Sequence, residues 1–353
     1  MSIHIDRINT VLLLMPDGHI GNLVVSLPAI EGLLNHFQDK ELYLVIDAAH
    51  KEIIETIIDL EHTKFYPRNE VNRGSFLKRT LLYIKFIDDI RQTHPDTVID
   101  LDGGHTSSMI TLLSGASSRV ARSSATRPYA YNVKVTLPVG KHKVYDYTKI
   151  AEAAGAVINE KPYRLSSSGT RRASLQYKLN SVGVAPERRM VCIHPGAGRL
   201  QKLWTVSGFA VISDWLAARE YQVVFIGGPG ELDRAHEIIS LLQNQAYNLA
   251  GGLSLGELMA LFEMSSLFLG NDSGPMHLAA AMATPVIALF GYGDENRWGP
   301  RCEQSVVLRG QERCEECMKK ECQDPVCITT LSPAAVKAAI NRLLRSDQIS
   351  QSV

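Results

Sequence analysis

Short unbroken apolar runs alternate along this chain with glycine-bearing turns and with longer stretches whose apolar positions recur at helical spacing. VLLLM (Val11 to Met15) leads through PDGHIGN into a helix-like stretch from Leu23 to Phe37. ELYLVID (Glu41 to Asp47) precedes a helical stretch from Ala49 to Ile58, and TVIDLD (Thr97 to Asp102) runs into GGHTSS. Continuous rather than alternating apolar strands are those of parallel sheets covered on both faces.

The pattern lapses at YRLSSSGTRR (Tyr163 to Arg172), which reads as a linker, and then restarts. MVCIHPGAG (Met190 to Gly198) is strand and loop, followed by a helix from Val206 to Arg219. YQVVFIGGPG (Tyr221 to Gly230) is a strand entering a glycine turn, with a helix from Leu232 to Leu242 behind it. LSLGELMALFEM is helical, SLFLGNDSG is the next strand and turn, and Pro333 to Arg345 is a last helix. The organisation is two α/β halves. Ligands of such sheets sit at the carboxyl ends of the strands, and a cleft between domains is a favoured site.

At 353 residues the chain exceeds one ordinary core, which agrees with two domains. Its formal net charge is zero, so no global attraction to nucleic acid or an anionic membrane is expected. No apolar stretch approaches the roughly 20 residues that span a bilayer. The first ten residues lack the apolar core of a signal peptide, so the expected location is cytoplasmic.

The candidate chemistry lies in the loops. In NDSGPMH, Pro275 suits a first helical turn, Asp272 or Ser273 can cap it, and His277 lies within that turn. A helix N-terminus of this kind seats phosphate, although the same residues also make an ordinary capped helix. Gly227, Gly228 and Gly230 allow a ligand close to the backbone, Lys202 adds a cation, and Trp204 is more plausibly a packing residue. Several strands of one domain ending in donor-rich loops suggest a nucleotide diphosphate site. Walker and GxGxxG spacings are absent, which disfavours an NTPase or a dehydrogenase.

HPGAG with K-L-W (His194 to Trp204), FIGGPGE (Phe225 to Glu231) and NDSGPMHLAAAMATPVIALFG (Asn271 to Gly291) together resemble glycosyltransferase family 9, the ADP-heptose:lipopolysaccharide heptosyltransferases. GN-LVVSLPAIEGL (Gly21 to Leu33), VIDLDG (Val98 to Gly103) and the cysteine stretch before LSPAAVKAAI extend the likeness from about Val11 to Arg345. The resemblance implies a GT-B fold: two Rossmann-like parallel-sheet domains facing a central cleft. Residues 1–165 would hold the acceptor and 171–332 the nucleotide sugar, with a helix over 333–346 packing back toward the first domain.

The implied reaction is inverting, metal-independent transfer of a heptose from ADP-heptose to a lipopolysaccharide inner-core acceptor or another glycan. No cofactor is required, and contact with the inner membrane is at most peripheral. Lys202 would neutralise the diphosphate leaving group. His194, Gly196, Gly228, Asp272, Ser273, Gly274 and His277 would line the donor site, with Glu231 near the nucleoside.

Two positions depart from the family pattern. The aspartate expected to take the acceptor's proton is Asn22, and an amide is no base at neutral pH. Asp17 and His19 in the same loop are the substitutes, although Asp17 also suits a turn and His19 an exposed loop. The basic residue expected after VIDLDG is replaced at Thr106, beside His105. Alternatives are therefore a relative acting on another nucleotide sugar, epimerase-like or with a different acceptor, or a nucleotide-sugar binder impaired in transfer.

Cys192 lies in an apolar run and reads as a core residue. Cys314, Cys317, Cys322 and Cys327 have the spacing C-x2-C-x4-C-x4-C. Four thiolates could hold a closed structural zinc or an iron–sulfur centre, or remain reduced thiols in a reducing compartment.

Overall fold

A computed structural model of the chain describes residues 8–159, 161–310, 322 and 324–350, with side chains described as far as Leu344. The chain divides into two compact units at Lys161 and Pro162.

The first unit opens with β1 (Thr10–Met15), α1 (Ile20–His36), β2 (Glu41–Asp47) and the short α2 (Lys51–Ile54). Next come β3 (Thr63–Tyr66), α3 (Arg68–Arg73), α4 (Phe76–Gln92), β4 (Thr97–Asp100) and α5 (His105–Leu113). β5 (Ser118–Arg122), β6 (Val133–Val135) and α6 (Val144–Ala153) complete it. The strands form one parallel sheet in the order β3-β2-β1-β4-β5-β6. Every residue of β1 is buried, which is why its sequence is an unbroken apolar run. Leu14 pairs with Val45 on one side and Asp100 on the other, so the loops after β1, β2 and β4 emerge at the same edge. The strand order reverses between β1 and β4, the usual place for a ligand.

The second unit begins with a strap over residues 162–168. Leu165 N–H donates to Ala281 C=O at 2.8 Å, and Arg164 pairs with Glu303 at 2.8 Å. The sequence reads as a linker through Arg172, but α7 (Gly169–Ser181) starts earlier because Ser168 Oγ caps the Arg171 amide. β7 (Met190–His194), α8 (Val206–Ala217), β8 (Gln222–Phe225), α9 (Leu232–Ile239) and β9 (Ala246–Asn248) follow. α10 (Leu255–Met264) starts at a Ser254–Glu257 capping box, satisfying orphan helix donors from both sides. β10 (Leu267–Asn271), α11 (Gly274–Ala281), β11 (Val286–Leu289), α12 (Glu295–Trp298) and β12 (Ser305–Leu308) complete the sheet region.

The second sheet is also parallel, in the order β12-β11-β10-β7-β8-β9, and its order reverses between β7 and β10. Gly270 pairs with His194, so the loops after these two strands begin side by side. After α13 (Val326–Thr329), α14 (Pro333–Ser350) buries Val336, Ala339, Ile340 and Leu343 in this unit's core beside α8. Among the described residues no helix is long and apolar enough to cross a membrane.

Candidate active site

The carboxyl edge of the second sheet gathers most of the expected donor-site residues at its switch point. His194, buried at the end of β7, has Nε2 3.1 Å from Glu231 Oε2 and Nδ1 3.0 Å from Ser273 Oγ. Glu231 Oε2 also accepts the Gly228 amide at 2.7 Å. Burial pushes the Glu231 carboxyl pKa up, but the bonds from His194 and Gly228 outweigh it and hold it below its usual value. A methyl group at Gly196 would collide with the Glu231 carboxylate, so that side chain would have to shift.

Asn271, the last residue of β10, fastens the neighbouring loops together. Its Nδ2 donates to Pro195 O at 2.8 Å and Gly196 O at 3.2 Å, while its Oδ1 accepts the Trp204 amide at 3.1 Å. Arg234 adds bonds to the carbonyls of Pro195 at 2.9 Å and Trp204 at 2.6 Å. These contacts tie the loop that carries Lys202 to β10 and α9. Lys202 Nζ then forms an ion pair with Asp272 Oδ2 at 2.6 Å, the carboxylate being nearly buried. A side chain at Gly293 would strike that carboxylate.

One expectation is corrected here. Ser273 is the N-cap residue of α11, but its side chain makes no capping bond. Its hydroxyl is drawn to His194 and the Asp272 carboxylate to Lys202, because a neighbouring strand end offers partners that local sequence does not reveal. Lys202 is thereby oriented by a carboxylate.

Gly274 and Pro275 form the first turn of α11. His277 is buried in the same helix with its ring edge-on to Trp298, centroids 6.2 Å apart. Trp204 is a core residue: it packs edge-on to Phe209 at 5.0 Å, and its Nε1 donates to Leu331 O at 3.0 Å. Cys192 is buried beside Ser265 Oγ at 3.0 Å, and burial pushes its thiol up to about 12. Cys314 and Cys317 lie outside the described residues; Cys322 and Cys327 are both buried. Among the described residues no group of three or more His, Cys, Asp or Glu is placed to hold a metal ion.

The first unit has its own cluster at the carboxyl ends of β1, β2 and β4. Asp17 Oδ1 accepts both the backbone N–H of His19 at 2.8 Å and His19 Nδ1 at 2.7 Å. Asp17 Oδ2 accepts Asn22 Nδ2 at 2.5 Å. Burial pushes the Asp17 carboxyl up, but the hydrogen bonds from His19 and Asn22 prevail and hold it below its ordinary value. The His19 imidazole is pushed up, chiefly by its bond to Asp17.

Behind this loop, Asp47 holds Arg68 Nε at 2.6 Å, and Arg68 also bonds the Pro16 carbonyl. Asp100 is fully buried against the Tyr131 hydroxyl and accepts the Gly103 amide at 2.8 Å. Burial, with the nearby Asp102 charge, pushes its carboxyl up to about 7. Asp102 is raised too, by burial and then by the charge of Asp17. Gly103 takes the left-handed φ of +63°, which lets the chain turn over Arg122.

The family model "Glycosyltransferase family 9 (heptosyltransferase)" matches residues 83–327. The chain belongs to glycosyltransferase family 9. It is 27% identical over 296 residues to lipopolysaccharide heptosyltransferase 3 of Escherichia coli strain K12, covering 81% of this chain and 84% of that one. A second Escherichia coli lipopolysaccharide heptosyltransferase 3 is 33% identical over 183 residues, 51% of this chain, so the match spans about half (53%) of that relative's length. Among solved structures, the Escherichia coli heptosyltransferase WaaC with ADP superposes with a TM-score of 0.73 at 18% identity, covering 95% of this chain and 99% of that one. At that identity the likeness concerns the fold. This family-9 chain thus has the two doubly wound sheets of the GT-B glycosyltransferases.

Two contacts at this sheet edge are not written in the sequence: Asn271 lies within the NDSGPMH motif and Gly293 beyond it, yet each meets a residue distant in the chain. Other elements bring basic side chains to the loop after β4. Arg127 Nη1 lies 3.1 Å from both the carbonyl and Nδ1 of His105, and Arg68 and Arg122 lie near the loops after β1 and β4.

Proposed function

We propose that the chain transfers a heptose from ADP-heptose to a lipopolysaccharide inner-core acceptor, with inversion and without a metal ion, in the cytoplasm. The Lys202–Asp272 ion pair at the start of α11, on the switch point between β7 and β10, carries this reading. When the bond between the anomeric carbon and the diphosphate breaks, the leaving ADP gains negative charge. Lys202, held in place by Asp272, and the first-turn amides of α11 are donors set in advance to receive it. Family membership and the ADP bound by WaaC support the donor assignment.

The acceptor hydroxyl must lose a proton as its oxygen attacks the anomeric carbon. In our reading His19 takes that proton at Nε2. Both carboxylate oxygens of Asp17 are already engaged, one by His19 and the other by Asn22. With Nδ1–H directed at Asp17, the lone pair of His19 lies on Nε2, on a side chain that is 86% exposed. Asp17 orients the ring and stabilises its protonated form, the role carboxylates play toward histidine bases elsewhere. Asn22 then fixes the carboxylate instead of accepting the proton itself.

Titration calorimetry with ADP and ADP-heptose, followed by mass spectrometry of products from a core-glycolipid panel, tests the proposal. Binding of ADP-heptose with a heptosylated product is the expected result. No binding at millimolar ligand would overturn the donor assignment. Binding without product across the panel would favour a nucleotide-sugar binder, the reading that Asn22 in place of an aspartate supports.

A further inference from the structure

Helix α4 in the first unit exposes apolar side chains that none of the described residues covers. Phe76 is 84% exposed, Leu77 68%, Leu81 59% and Ile84 59%, while Phe86, Ile87 and Ile90 on the opposite side hold the helix to its sheet. Leu77, Leu81 and Ile84 follow the i, i+4, i+7 spacing of one helical face. Beside this ridge, a shallow groove of about 330 Å³ is lined by Ser75, Leu77, Lys78, Leu81, Leu82 and Lys85.

Charge is concentrated at the same place. Residues 68–85 contain five basic side chains (Arg68, Arg73, Lys78, Arg79, Lys85) against one acidic (Glu70), in a chain whose net charge is zero. Arg73, Lys78, Arg79 and Lys85 are all exposed. The acidic residues of α4, Asp88 and Asp89, come only after the apolar ridge has ended.

We propose that this face of α4 docks on an anionic lipid surface, with Phe76, Leu77, Leu81 and Ile84 entering the interface and the basic side chains meeting acidic headgroups. Apolar residues flanked by lysine and arginine are the chemistry of a helix lying in a membrane interface. Each basic residue near such a surface adds attraction that salt screens. A second copy of the chain fits the face less well, since two-fold pairing would bring Lys78, Arg79 and Lys85 against the same cations. The inference uses none of the residues assigned to transfer and stands independently of that reading.

The test is flotation of the full chain with vesicles of phosphatidylcholine alone or mixed with phosphatidylglycerol. Expected is at least about tenfold stronger partitioning onto the anionic vesicles, falling at high salt. The triple variant Leu77→Ser, Leu81→Ser, Ile84→Ser should lose this binding, as should Lys78→Glu with Lys85→Glu. Because these side chains are exposed, the variants should keep the wild-type circular dichroism and ADP titration. A lack of preference for anionic vesicles would overturn the proposal, and so would undiminished binding by the triple variant. A concentration-dependent dimer abolished by the same substitutions would also overturn it, assigning the face to a second copy.

Discussion

Lys202 Nζ and Asp272 Oδ2 stand 2.6 Å apart, yet the two side chains differ in exposure: 24% for Lys202 and 5% for Asp272. The lysine can reach water without its partner; the carboxylate cannot. The pair should therefore respond asymmetrically to truncation. Lys202→Ala leaves a buried carboxylate unpaired and should cost about 3 kcal/mol, whereas Asp272→Ala should cost about 1 kcal/mol. Urea unfolding of the two variants measures the difference. Equal losses would mean that burial of the carboxylate does not dominate.

Both variants should also bind ADP more weakly, through different causes. Lys202→Ala removes the cation and should raise Kd by roughly tenfold to a hundredfold, the worth of a charge-assisted hydrogen bond. Asp272→Asn keeps the lysine but loosens its position, so a smaller increase is expected. Titration calorimetry at two salt concentrations separates them, since removal of a charge also lowers the salt dependence.

Gly196 and Gly198 form a matched pair in one loop. A methyl at Gly196 would meet the Glu231 carboxylate, while at Gly198 nothing lies within 4 Å. Gly196→Ala should displace Glu231 from His194 and weaken donor binding at least about tenfold, with a cost of about 1–3 kcal/mol in stability. Gly198→Ala should leave both nearly unchanged. Similar behaviour of the two variants would show that the Glu231–His194 contact does not support the site.

The proposed base makes a pH prediction. Because Asp17 raises the His19 pKa, activity should fall on the acid side with a limb above the ordinary histidine value of about 6.5. Asp17→Asn removes the carboxylate partner, so the limb should move to lower pH while kcat falls by roughly 10²- to 10⁴-fold. His19→Gln should abolish the limb together with most of kcat. Asn22→Asp would set a second carboxylate against Asp17 Oδ2, and the two could not both ionise cheaply. Activity of that variant should therefore drop or shift in pH; a large gain at unchanged pH would instead make position 22 the site of the base.

Asp100 links pH to stability. Its folded-state pKa of about 7 exceeds the ordinary 3.8, so between these values the native state binds the extra proton. Its contribution is complete below about pH 4 and is lost as pH rises through about 7. Asp100→Asn should flatten that slope in urea unfolding measured from pH 4 to pH 8. An unchanged slope would assign the pH dependence to other groups.

The apolar runs alone determined the parallel sheets. A strand buried on both faces must be continuously hydrophobic, and β1, β7 and β10 carry that mark wherever they lie in space. Glycine and proline placed the turns for equally local reasons, and the glycine-rich loops with NDSGPMH pointed to the carboxyl edge of the second sheet before any strand order was known. Tertiary structure decided which polar side chain finds which partner. Ser273 turns to His194 instead of capping its own helix, Asn271 ties together loops more than sixty residues away, and Asp17 is claimed by both His19 and Asn22. Such choices depend on parallel register, which brings distant strand ends together, and on the cost of leaving any buried polar group without a partner. The exposed ridge of α4 shows the same division. Its helical spacing is written in the sequence, but only the packed fold reveals that Leu77, Leu81 and Ile84 stay outside while Phe86 and Ile90 go in.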